Sequence, residues 1–140
     1  MTVLDASALI AFLLDEPAGD LVGEILNRRP PPSISAVNLE EVIDHLVRVQ
    51  VGDADDVNDA IDLLIVGGLE VQPFWLPNSR RTALVRSEFY RRGTSELSFA
   101  DCACLATAIA LRTDLATTDQ PLARAARAAG VDVIELPTAA

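Results

Sequence analysis

Four carboxylates stand where strand-like sequence gives way to helix-like sequence: Asp5, Glu41, Asp101 and Asp119. Asp5 follows Thr2 to Leu4 and precedes Leu9, Ile10, Phe12, Leu13 and Leu14, whose spacing suits a largely buried helix with Ser7 as its cap. Asp119 follows the short strand-like run Leu115 to Thr118. Glu41 and Asp101 each lie three residues after a capping residue, Asn38 and Ser98, in the first turn of a helix. In an open α/β sheet, ligands gather outside the carboxyl ends of the strands, and all four acids have a route to that edge.

Two carboxylates 4 Å apart repel by about 4 kcal/mol at an effective dielectric of 20, so a cluster either takes up protons or holds a cation. Oxygen ligands alone suit Mg²⁺ or Mn²⁺, which keep several waters and bind phosphate oxygens. Such an ion activates water for phosphodiester hydrolysis and stabilises the developing charge, so no Ser, His or Cys nucleophile is required. Each acid also has a plainer role. Glu41 and Asp101 have the spacing of capping boxes, and Asp5 and Asp119 that of turn-forming residues. Taken singly they read as caps and turns; taken together they read as a metal site. His45 falls in mid-helix and reads as structural. Cys102 and Cys104, two apart on a helix, point away from each other and read as buried thiols rather than as a zinc or disulfide pair.

The elements that must position these acids follow the chain. A strand over 2–4 is followed by a helix that ends at Glu16 to Gly19, and by a second short helix over 20–29 that Pro30 to Pro32 stop. A strand over 33–36 leads to a helix capped by Asn38 and running to about Val51, with Leu39, Val42, Ile43 and Leu46 on one face. A helix from about Asp53 to Val66 precedes Gly67 and Gly68, which turn the chain into a strand over 69–72. A loop over 73–78 leads to a basic helix over 79–92. The alanine-rich helix over 98–112, a strand over 115–118, a helix over 120–129 and a strand over 131–136 complete the order. Five short strands separated by helices predict one α/β domain, with a mainly parallel sheet between helical layers.

Composition narrows the function. The net charge of −10 opposes a protein that grips nucleic acid over its whole surface, although Arg80 to Arg92 carries five arginines against Glu88 alone. Asp53 to Asp62, with five aspartates, reads as a solvated helix face. The eleven basic residues are all arginines. The absence of lysine excludes a Walker loop, and also the receiver domains and haloacid-dehalogenase-type phosphatases, whose acidic sites depend on a lysine beside the phosphoryl group. The longest apolar run, Ala8 to Leu14, has seven residues, far below the roughly 18 of a membrane span. The N-terminus has no basic leader, so a cytoplasmic protein is expected.

Four segments, VLDASALIAFLLDEPAGD, ISAVNLEEV, LSFADCACLATAIAL and LATTDQPLARAA, resemble in that order the acidic motifs of the PIN domain, specifically the VapC-type ribonuclease toxins of bacterial toxin–antitoxin pairs. The resemblance covers nearly the whole chain and implies a single PIN domain over 1–140, with the three-layer α/β/α fold and about five strands. It implies metal-binding, catalytic acids at Asp5, Glu41, Asp101 and Asp119, with Ser7 and Thr117 as hydrogen-bonding neighbours. Glu40 and Glu41 are adjacent and about 100° apart on a helix; alignment with Val42 favours Glu41. The implied activity is Mg²⁺- or Mn²⁺-dependent endoribonucleolytic cleavage leaving a 5′-phosphate and a 3′-hydroxyl, with the arginines of Arg80 to Arg92 on the RNA backbone. The implied partners are a cognate antitoxin, in a toxin–antitoxin hetero-oligomer, and a second copy in a homodimer. The rival readings are a non-catalytic PIN-like module that binds a protein partner, and a metal-dependent nuclease acting on DNA.

Overall fold

The chain alternates strand and helix from its second residue, and each strand is only three or four residues long. A computed structural model describes residues 1–49 and 52–139. In order these are β1 (Thr2–Leu4), α1 (Ala6–Leu13), α2 (Gly19–Leu26), β2 (Ser33–Ser35), α3 (Ala36–Arg48), α4 (Ala54–Val66), β3 (Glu70–Gln72), α5 (Leu76–Phe89), α6 (Phe99–Leu111), β4 (Asp114–Thr117), α7 (Gln120–Ala128) and β5 (Val133–Glu135). The five strands form one sheet in the order β3-β2-β1-β4-β5, and every neighbouring pair is parallel. The sheet was expected to be mainly parallel; it is wholly so. Helical crossovers join its strands, as parallel pairing requires.

β1 is the centre, and its alternation sorts the core. Val3 pairs with Leu115, and both pack with α5, α6 and α7. Leu4 pairs with Ile34 and Ala116, and all three pack with α1, α2, α3 and α4. Successive side chains leave a strand on opposite faces, so two adjacent residues of one short strand anchor two helical layers. The result is the three-layer α/β/α arrangement. Among the described residues no helix is long and apolar enough to cross a membrane.

The starts of α3 and α5 differ from the sequence reading. Ser35, not Asn38, caps α3, its Oγ accepting the Asn38 N–H at 3.1 Å. Glu41 therefore lies in the second turn and belongs to no capping box. α5 begins at Leu76, three residues before the expected start. Pro77 lacks the N–H that the first turn leaves unpaired in any case, and the Asn78 side chain accepts the Trp75 N–H at 3.0 Å. The end expected for α3, near Val51, lies outside the described residues. Gly68, at φ +121°, makes the turn into β3 that a side chain would strain.

Candidate metal centre

Asp5 is the first residue beyond the central strand. Its N–H donates to the Ala116 carbonyl at 3.0 Å, which extends the β1–β4 pairing by one bond and leaves the side chain at the sheet's carboxyl edge. That side chain is 4% exposed. Ser7 Oγ and Thr117 Oγ1 both donate to its Oδ2, each at 2.8 Å. The two hydroxyls are held in turn, Ser7 Oγ by the Thr118 N–H at 3.1 Å and Thr117 Oγ1 by the Asp119 N–H at 2.9 Å. A cap by Ser7 was expected; Asp5 instead occupies the N-cap position of α1, and Ser7 serves the carboxylate.

Asp101 and Asp119 keep their plainer roles while facing the same place. Asp101 forms a true capping box, its Oδ2 accepting the Ser98 N–H at 2.9 Å while Ser98 Oγ accepts the Asp101 N–H at 3.0 Å. Asp119 caps α7, its Oδ1 accepting the Leu122 N–H at 2.8 Å. Each bond fixes one oxygen of a carboxylate and leaves the other for a ligand. Capping and ligand binding are thus two uses of one orientation.

Glu41 is placed by a residue read from the sequence only as a cap. The Asn38 side chain is fully buried; its Oδ1 accepts from Ser35 Oγ at 2.7 Å and its Nδ2 donates to the Ala100 carbonyl at 3.0 Å. This tether joins the start of α3 to the first turn of α6, and so sets Glu41 against Asp101. A polar residue between two hydrophobic runs was the only sequence signal for it. Glu41 is partly buried and lines the cleft, whereas Glu40 is exposed and faces a separate groove with Leu39 and Ile43.

All four acids line one cleft of about 640 Å³, together with Ser7, Ile10, Asp44, His45, Arg48 and Gln120. His45, expected to be structural, is one turn beyond Glu41 on the same helix face and reaches the cleft. The arginines of Arg80 to Arg92 do not line it; Arg86 lies in another recess with Ala83, Ser87 and Tyr90, 4.8 Å over the Tyr90 ring. Cys102 and Cys104 are buried, free thiols. Burial and the Asp101 charge push Cys102 up to about 11, and Cys104 is raised further beneath the acids, so neither supplies a thiolate.

The carboxylates strain one another. Burial, above all, lifts Asp5 from the ordinary carboxylate range to about 6, against the lowering effect of Ser7 and Thr117, with Asp101 adding to the rise. Glu41 is raised by burial and then by Asp5 and Asp101, and Asp101 by burial and by Asp119. Among the described residues no three Asp, Glu, His or Cys side chains close around a single ion as they lie. The donor set nonetheless suits a hard divalent cation that keeps much of its water, because four carboxylates line one cleft and burial and mutual repulsion raise three of them.

A parallel five-stranded sheet between helical layers, with acids gathered at its carboxyl edge, defines an α/β domain with an acidic site. The chain belongs to the PIN domain family, whose pattern matches residues 2–128. Solved structures agree in fold. A toxin–antitoxin complex from Klebsiella pneumoniae superimposes with a TM-score of 0.72 at 18% identity, covering 99% of this chain and 100% of that one. FitAcB from Neisseria gonorrhoeae gives 0.72 at 22% identity over 96% and 97% of the two chains. VapC20 from Mycobacterium tuberculosis, described as a toxin cleaving the sarcin-ricin loop, gives 0.71 at 15% identity over 96% and 99%. No curated protein matches the sequence.

Proposed function

We propose that the protein is a metal-dependent endoribonuclease, the toxin of a type II toxin–antitoxin pair, acting in the cytoplasm as a single PIN domain over 1–140. The observation that carries this reading is the convergence of Asp5, Glu41, Asp101 and Asp119 on one cleft at the carboxyl edge of the sheet. Family membership supports the fold-level part, and the sarcin-ricin loop cleavage named for VapC20 supports RNA as the substrate class. That several of the similar structures are toxin–antitoxin complexes supports a cognate antitoxin and hetero-oligomer assembly, and a homodimer is part of the same reading.

In this reading the four acids hold Mg²⁺ or Mn²⁺, which supplies Lewis acidity toward phosphate oxygen and a more acidic water. The chain's own contribution is orientation. Ser7 and Thr117 both hold one oxygen of Asp5 and so fix the carboxylate at the sheet edge. The capping box fixes Asp101, and the α7 cap fixes Asp119. Burial of Asp5 keeps bulk water from shielding its charge. Hydrolysis adds water across the P–O3′ bond, leaving a 5′-phosphate and a 3′-hydroxyl.

The test is cleavage of a mixed cellular RNA pool by antitoxin-free protein in Mg²⁺ or Mn²⁺ and in EDTA, beside a folded Asp101→Asn variant. Discrete, metal-dependent products from the parent alone are expected. Absence of both cleavage and metal binding in the parent favours a protein-binding module, and equal cleavage of a matched DNA favours a nuclease that reads only phosphate.

A further inference from the structure

A cleft lined by five carboxylates, Asp44 among them, repels a phosphodiester backbone unless cations offset them, and among the described residues Arg48 is the only arginine that lines it. Arg48 lies seven residues beyond Glu41 on α3, about 10 Å along the helix axis and on the same face. Its Nε donates to Asp44 Oδ2 at 2.8 Å, and both side chains are largely open to water, at 66% and 48% exposure. A pair of that kind is held weakly, so a competing anion displaces it readily.

We propose that Arg48 is the residue that positions RNA in this site, exchanging Asp44 for a backbone phosphate flanking the scissile one. The inference rests on the ribonuclease reading above. Arg48 is rooted two turns along α3 from Glu41, and its contact is assigned to a flanking phosphate, where it affects binding and register rather than the chemical step. Arg48 offers a fork of donors that matches phosphate geometry, which a lone point charge does not. Asp44 restrains this fork at the cleft mouth and competes with the phosphate for it. A plainer role exists: Arg48 sits in the last turn of α3, where a cation favours the helix dipole. That role moves stability and leaves RNA binding alone.

The experiment measures binding of a labelled single-stranded heteropolymeric RNA, with Ca²⁺ in place of Mg²⁺, as a function of salt, and kcat and KM for cleavage in Mg²⁺. The proteins are the parent, Asp44→Asn, Arg28→Gln, at an exposed arginine in the separate recess with Met1, Thr2 and Asp114, and the charge-neutral pair Asp44→Asn with Arg48→Gln. The double variant is expected to bind about tenfold more weakly, with a log–log salt slope shallower by about 0.7, the value for one phosphate contact on a single strand. Its KM rises while kcat holds. Asp44→Asn alone binds more tightly, and Arg28→Gln is unchanged. Parent-like affinity and slope in the double variant would overturn the assignment to Arg48 and leave the nuclease reading intact. A parent that neither binds nor cleaves RNA overturns both.

Discussion

Asp5 shows how one residue can be unstable alone and useful with a ligand. Its carboxyl is lifted to about 6 in the folded protein from an unfolded value near 3.9. The folded state therefore holds the proton more tightly. The resulting stabilisation is complete below about pH 4 and is lost as pH rises through 6; the raised Glu41 and Asp101 act in the same sense. In EDTA, urea denaturation should show stability falling between pH 4 and pH 7, with roughly 3 kcal/mol traceable to Asp5. Asp5→Asn, which keeps an acceptor for Ser7 and Thr117, should remove that part of the pH dependence and be more stable than the parent at pH 7 by about 1–3 kcal/mol. A less stable Asn variant at neutral pH, without metal, would show that the ionised carboxylate is not the strained species.

At the scale of elements, the site is assembled by bonds between helix ends. Asn38 ties α3 to the Ala100 carbonyl of α6, and its removal takes that cross-helix donor away and leaves the buried Ser35 hydroxyl without its acceptor. Asn38→Ala should lower stability by about 2–3 kcal/mol in thermal or urea unfolding. At conditions where the variant remains folded, cleavage should fall as well, because Glu41 loses its fixed distance from Asp101. Ser98→Ala isolates the cap from the acid. It should reduce stability by about 1 kcal/mol while metal-dependent cleavage survives, and a loss of cleavage as large as that of Asp101→Asn would show that orientation by the cap is indispensable.

For the whole molecule, the relevant property is a net charge of −10, of which the cleft holds five carboxylates against Arg48. A divalent cation that binds the folded state alone raises stability by mass action. Mg²⁺ or Mn²⁺ should therefore raise the melting temperature of the parent at pH 7, and raise it much less in Asp5→Asn or Asp101→Asn. The gain should shrink at pH 5, where protons compete for Asp5. An equal metal-induced shift in parent and variants would place the ion elsewhere, for instance along the aspartate-rich α4.

The order of strands and helices was legible because each short apolar run is bounded by Pro, Gly or a capping residue, and a five-stranded parallel sheet follows from that alternation. The acids were legible by type and by their places at element ends. Helix starts were not always so: two capping-type residues three apart, Ser35 and Asn38, compete for one role, and only the packing of Asn38 against Ala100 decides which caps. Glu40 and Glu41 are chemically alike in sequence; the rotation of α3 against α6 exposes one and turns the other into the cleft. His45 and Arg48 carry no local signal, because their meaning depends on what the far side of α3 faces. The sequence by itself determined the elements and the chemistry at their ends, since those depend on neighbours in the chain. Only the tertiary structure decided which side chains meet, because that depends on how helices far apart in sequence are turned about their axes when they pack on the sheet.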